Sequence, residues 1–125
     1  MPEYGTSTYD IKEEDELYRR IPLKNLDCWK DLNGEKVPSS FNFKTKPNED
    51  GLSVDIAELT THKLAILDKA DYALSSFLAM IPINAGYICE HAPDLINQNE
   101  AHALIKGNTN KIAKKILAIS VYGCH

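Results

Sequence analysis

The stretch Leu17-Tyr18-Arg19-Arg20-Ile21-Pro22 sets two adjacent arginines inside an apolar, strand-prone run. Successive side chains of a strand leave the backbone on opposite faces, so Arg19 and Arg20 cannot both be solvent-facing if both faces are covered. One guanidinium then has an inward task. Three further segments mix an apolar frame with a polar insert: Pro38-Ser39-Ser40-Phe41, Leu52-Ser53-Val54-Asp55 and Asn99-Glu100-Ala101-His102-Ala103. Together they can bring a cation, hydroxyls, a carboxylate and an imidazole to one site.

At 125 residues and 14.0 kDa the chain has the size of one domain with one core. Its 43% hydrophobic and 26% charged residues, with mean hydropathy -0.33, place it in the soluble globular class and not the disordered one. A net charge of -4 removes the usual electrostatic reason to expect bulk binding to nucleic acid or an anionic membrane, while leaving room for a local basic pocket. No run reaches the roughly 20 apolar residues that cross a bilayer, and the acidic N-terminus lacks the basic and apolar regions of a secretory signal. A cytoplasmic protein is expected. Cys28, Cys89 and Cys124 are odd in number and form no C-x-x-C pair, so reduced thiols are expected in place of a disulfide framework or zinc ribbon. Cys124-His125 would need ordering before it could hold a metal.

Residues 1–16 read as an N-terminal arm, with Tyr4 and Tyr9 as its large apolar groups, and residues 17–125 as a single domain. A strand runs from Leu17 to Ile21 and ends at Pro22. Asn33-Gly34 is a turn signal within a long connection punctuated by Pro38, Pro47 and Gly51, which is packed by Trp29, Phe41 and Phe43 or is functional. Ser53 reads as a helix N-cap with Asp55 in the first turn, and Val54, Ala57, Leu59, then Leu64, Ala65 and Leu67, as the apolar stripe of one short helix and a second turn. Leu74 to Ile81, Gly86 to His91 and Ala101 to Lys106 read as three strands of an antiparallel meander. Asn108 or Asn110 caps a last helix bearing Ile112, Ala113, Ile116 and Leu117. The expected fold is α+β: a mostly antiparallel sheet of about four to five strands, packed by a C-terminal helix and one or two short helices.

Arginine suits phosphate or carboxylate, because its planar fork donates parallel hydrogen bonds and keeps its charge. The plainer reading pairs one arginine with Asp27, Asp31 or Asp55 and leaves the other at the surface. Ser39 and Ser40 can bind a phosphate oxygen or a ribose, or satisfy turn backbone. His102, between alanines, has room for a ligand and the unperturbed pKa range of an acid or base. Hairpin pairing would set His91 opposite His102 with Cys89 nearby, a trio whose spacing matches no zinc signature, so no metal is expected. His62 reads as a surface residue. Lys106 and Asn108, flanking Gly107 at the last helix, offer an anion position or an ordinary cap.

The four blocks, in that order from Leu17 to Gly107, resemble those of a family of small bacterial proteins to which no activity is attached, Glu100 standing where a small residue or proline is more usual. The order Arg, Ser, His alone is similar to ADP-ribosyltransferase-like and RNA 2'-phosphotransferase-like domains, without their glutamate or H-x-T partner. The functional expectation is a protein that binds a nucleotide or other phosphorylated ligand, with Arg19, Ser39, Ser40, Asp55, Lys106 and Asn108 as binding residues and no cofactor; whether it also processes the ligand, with His102 and Arg20 as the catalytic candidates, stays open. The alternative is a non-catalytic interaction or immunity module in which these groups form a structural polar core, with a protein or a second copy of the chain as partner.

Overall fold

The computed structural model describes residues 3–61, Ala65 and residues 71–124. The expected second helical turn at Leu64 and Leu67, together with His62 and His125, lies outside the described residues. In chain order the elements are β1 (Glu16–Pro22), β2 (Trp29–Leu32), β3 (Glu35–Pro38), β4 (Gly51–Ile56), β5 (Tyr72–Leu78), α1 (Met80–Asn84), β6 (Ile88–His91), β7 (His102–Lys106), α2 (Ala113–Ile119) and β8 (Val121–Cys124). Among the described residues, six strands form one sheet in the order β6-β7-β4-β1-β5-β8, every neighbouring pair antiparallel. The hairpin β2-β3 forms a separate two-stranded sheet. This is an α+β fold with an antiparallel sheet, as the patterning implies, and β8 adds an edge strand beyond the final helix. No helix among the described residues is long and apolar enough to cross a membrane.

One sheet face carries the main core. Leu17, Leu52, Val54, Ile56, Phe77, Ala103 and Ile105 point to it from four strands, and Ile112, Ala113 and Ile116 of the α2 region cover them. Phe43 is fully buried there, its ring edge-on to Phe77 with centroids 5.8 Å apart. Burying a side chain of this size contributes about 2–3 kcal/mol. The long connection is therefore ordered by its own content. Asn33 and Gly34, both at positive φ, turn the β2-β3 hairpin, and a 3-10 turn at Ser40–Phe43 inserts Phe43 into the core.

Three expectations need correction. The segment from Leu52 is strand β4 and not a helix: Leu52, Val54 and Ile56 alternate onto the core face, and five paired positions with β7 outweigh the local capping signal of Ser53. Asp55 is consequently a strand residue with no helix terminus beside it. The run from Leu74 does form β5, but at Met80 the chain turns helical, where Pro82 fits a first turn and cannot donate to a ladder. Nor do the three late strands make one meander. β6 and β7 pair as a hairpin, whereas β5 lies between β1 and β8, with β7, β4 and β1 separating it from β6.

β4 approaches β7 closely at its first residue. A Cβ on Gly51 would collide with the Ile105 carbonyl oxygen, an atom held by the sheet. Gly51→Ala should lower stability by about 1–3 kcal/mol, seen as a lower urea midpoint at unchanged slope. An unaltered midpoint would mean that the two strands can separate without cost.

Candidate functional site

The alternation of β1 sends its two arginines apart. Arg20 lies on the face away from the main core, where its Nη1 donates to Asp55 Oδ2 at 2.7 Å and to the Ala65 carbonyl at 2.8 Å. The other oxygen of Asp55 accepts from Asn99 Nδ2 at 2.9 Å, and Asn99 Oδ1 accepts the Ala101 amide at 3.1 Å. His102 faces Asp55 across the β4-β7 ladder, so it shares this face. Its Nδ1 lies 2.7 Å from the Ala92 carbonyl, which can only accept, so this nitrogen carries the proton. The ring stacks on Tyr4 with centroids 5.2 Å apart. Asp55 is 2% and His102 5% exposed. Arg20, Asp55 and Asn99 form a hydrogen-bonded chain fitted to hold strands together, and His102 lies on the same face with its imidazole proton committed to a main-chain acceptor.

The expected facing of His91 and His102 fails by one residue. His91 pairs with Ala103, and a one-residue offset sends the two imidazoles to opposite faces. His91 Nδ1 accepts the amides of Thr8 and Tyr9 at 3.0 and 3.1 Å, while its Nε2 donates to the Glu100 carbonyl at 2.7 Å. The N-terminal arm is thus docked on the domain through both histidines. Within the arm, the Tyr9 hydroxyl donates to Asp15 Oδ1 at 2.8 Å. Among the described residues, no three His, Cys, Asp or Glu side chains are placed to hold a metal ion. Burial pushes the Cys89 thiol up to about 11 and raises that of Cys28, so neither is a ready thiolate.

Arg19 takes the core-side face at a place where the sheet opens. β1 and β4 pair only at Leu17 with Ile56 and at Tyr18 with Asp55; beyond these positions the strands diverge. The half-buried Arg19 fills the gap, its Nε donating to the Asn42 carbonyl and its Nη1 to the Ser53 carbonyl, each at 2.8 Å. Two main-chain acceptors therefore fix the guanidinium, no carboxylate among the described residues lies within ion-pair distance, and desolvation lowers its pKa against the opposing charge of Glu49. Asn42 is itself fixed, donating through Nδ2 to the Cys28 and Ser39 carbonyls at 2.8 and 3.0 Å. Arg19 lines a cleft of about 390 Å³ with Lys44, Lys46, Thr45 and Asn110, and with Phe41, Pro22 and Pro47 among its apolar lining residues. Thr45 is anchored to the Gly107 carbonyl at 3.0 Å.

The other sequence candidates lie elsewhere. Ser39 Oγ donates to the Asp27 carbonyl at 2.5 Å, a turn contact. Ser40 borders a second cleft between the β2-β3 hairpin and α2. Lys106 sits 3.5 Å from Glu90 at the surface, where an ion pair is worth little. Asn108 caps a 3-10 turn by accepting the Asn110 amide at 2.8 Å. Arg19 thus stands apart from Arg20, Asp55 and His102, with the sheet between them, and these residues do not form one site. Sequence reasoning missed Phe41, Lys44, Thr45 and Lys46 as site residues; the signal was two lysines flanking Thr45 within an acidic chain. Comparison with protein-family models, curated proteins and solved structures gives no match for this chain.

Two measurements test this geometry. Asp55→Asn leaves the Arg20 charge unmatched and should cost about 2–3 kcal/mol, allowing for the 25% exposure of Arg20, in a denaturant titration. A cost near zero would dissolve the network. Among the tyrosines whose side chains are described, Tyr9 should be the last to ionise, its pKa pushed up to about 12 chiefly by the hydrogen bond to Asp15. A raised folded value adds stability that is complete below the unfolded pKa near 10 and disappears as pH climbs towards 12. Tyr9→Phe should remove the highest step in tyrosinate absorbance; retention of that step assigns it to another residue.

Proposed function

We propose that this chain is a binding protein for a small phosphorylated ligand, held at Arg19, Lys44 and Lys46, and that His102 and Arg20 serve the fold and not a reaction. The observation that carries this reading is the state of Arg19: a guanidinium positioned by two main-chain carbonyls at the lining of a cleft, with no carboxylate of the described residues within ion-pair distance and Glu49 acting on it only from further off. A cation already immobilised loses little freedom when an anion arrives, and charge-assisted hydrogen bonds to it are strong. Lys44 and Lys46 concentrate positive charge there in a molecule of net charge -4. The pairing of Arg20, Asp55 and Asn99, and the hold of the Ala92 carbonyl on His102 Nδ1, support a non-catalytic role for these groups. A reducing, cytoplasmic setting is part of the proposal, supported by Cys28 and Cys89 as free thiols.

Calorimetric titration with phenyl phosphate should give saturable one-site binding that weakens as salt rises. Arg19→Gln should weaken it about tenfold or more, the worth of a hydrogen bond to a charged group. The double variant Lys44→Gln, Lys46→Gln, which alters only exposed side chains, should also bind more weakly while unfolding like the parent. Absence of binding at millimolar ligand, or affinity untouched by either variant, refutes the proposal.

A further inference from the structure

We infer that the ligand of the Arg19 cleft is a phosphate monoester of a planar aromatic or heteroaromatic body, seated against Phe41; this rests on the anion reading of the same cleft. The first argument is size. About 390 Å³ lies at the lower end of the range of about 300–1,000 Å³ for small-molecule sites, and corresponds to roughly a dozen waters at about 30 Å³ each. A phosphate alone fills a minor part of that space.

The second argument is the character of the walls. Besides its cations the cleft is lined by Phe41, Pro22 and Pro47, whose carbon surface has nothing to offer a bare anion. Phe41 is the informative residue. It is 41% exposed, although Asn42 and Phe43, next in the same 3-10 turn, are 2% and 0% exposed. The Asn42 side chain ties this turn to the Cys28 and Ser39 carbonyls, and the Ser39 amide donates to Cys28 as well, so the Phe41 ring is presented by a fixed backbone. An aromatic ring held at the border of a cationic cleft is a stacking platform, the means by which proteins hold planar rings irrespective of their substituents. Asn25 and Asn110, also on the lining, offer amide groups to a ring with polar edges. Asn25 uses its side-chain oxygen on the Asp27 amide and keeps its NH₂ group for such an edge.

The test compares three probes by calorimetry: phenyl phosphate, glycerol 1-phosphate and inorganic phosphate. Phenyl phosphate should bind about tenfold or more tightly than the other two, the usual worth of one stacked ring. Phe41→Ala should reduce phenyl phosphate to the level of glycerol 1-phosphate while leaving glycerol 1-phosphate unchanged, and Phe41→Leu, which keeps apolar bulk without a planar face, should do the same with an intact unfolding transition. Equal affinity for the three probes, or a preference that survives both Phe41 variants, overturns the aromatic class and leaves the anion reading standing. No binding of any probe removes both.

Discussion

The main sheet is held across its middle by two residue pairs and two guanidinium groups. β1 pairs with β5 at seven positions and β4 with β7 at five, but β1 and β4 share only two. Both arginines of β1 reach over this seam to β4: Arg19 to the Ser53 carbonyl on one face and Arg20 to the Asp55 carboxylate on the other. Where the ladder stops, a strand would otherwise leave unpaired carbonyls in its interior, each costly to bury. Arg19 provides such a donor to the Ser53 carbonyl, while Arg20 ties the strands through the Asp55 side chain. The cleft exists because the strands part, and the cation in its wall is there because the parting must be hydrogen-bonded.

Much of the fold was legible from side-chain period. β1, β5, β6 and β7 lie where alternating or continuous apolar runs put them, and the final helix follows its stripe. Leu52, Val54 and Ile56 were misread because a short apolar run fits both periods, and Ser53 and Asp55 supply a capping signal that is correct chemistry in the wrong backbone. What decided the matter was pairing with β7, some fifty residues distant, which no local window contains. The order of strands was hidden for the same reason.

The site was partly legible. Strand alternation separates Arg19 from Arg20, yet the sequence does not say which faces a cleft, since that depends on where β1 and β4 diverge. The register of His91 against Ala103 moved an imidazole from one face to the other, and no sequence pattern fixes a single-residue offset of that kind. Phe41, Lys44 and Lys46 belonged to a connection without periodicity. Their roles follow from Phe43 entering the core and leaving its neighbours at the rim.

The adjacency of the two arginines also governs how this chain can vary. Each residue of β1 has its face assigned by parity, so a single insertion or deletion ahead of Arg19 exchanges the faces of everything that follows it in the strand. The guanidinium that meets the Asp55 carboxylate would then be delivered to the Ser53 side, and the apolar partners Leu17 and Ile21 could no longer both meet the core. Substitutions in this strand alter one contact at a time, whereas a change in length rewires both faces at once. In β1, spacing is therefore more tightly constrained than identity.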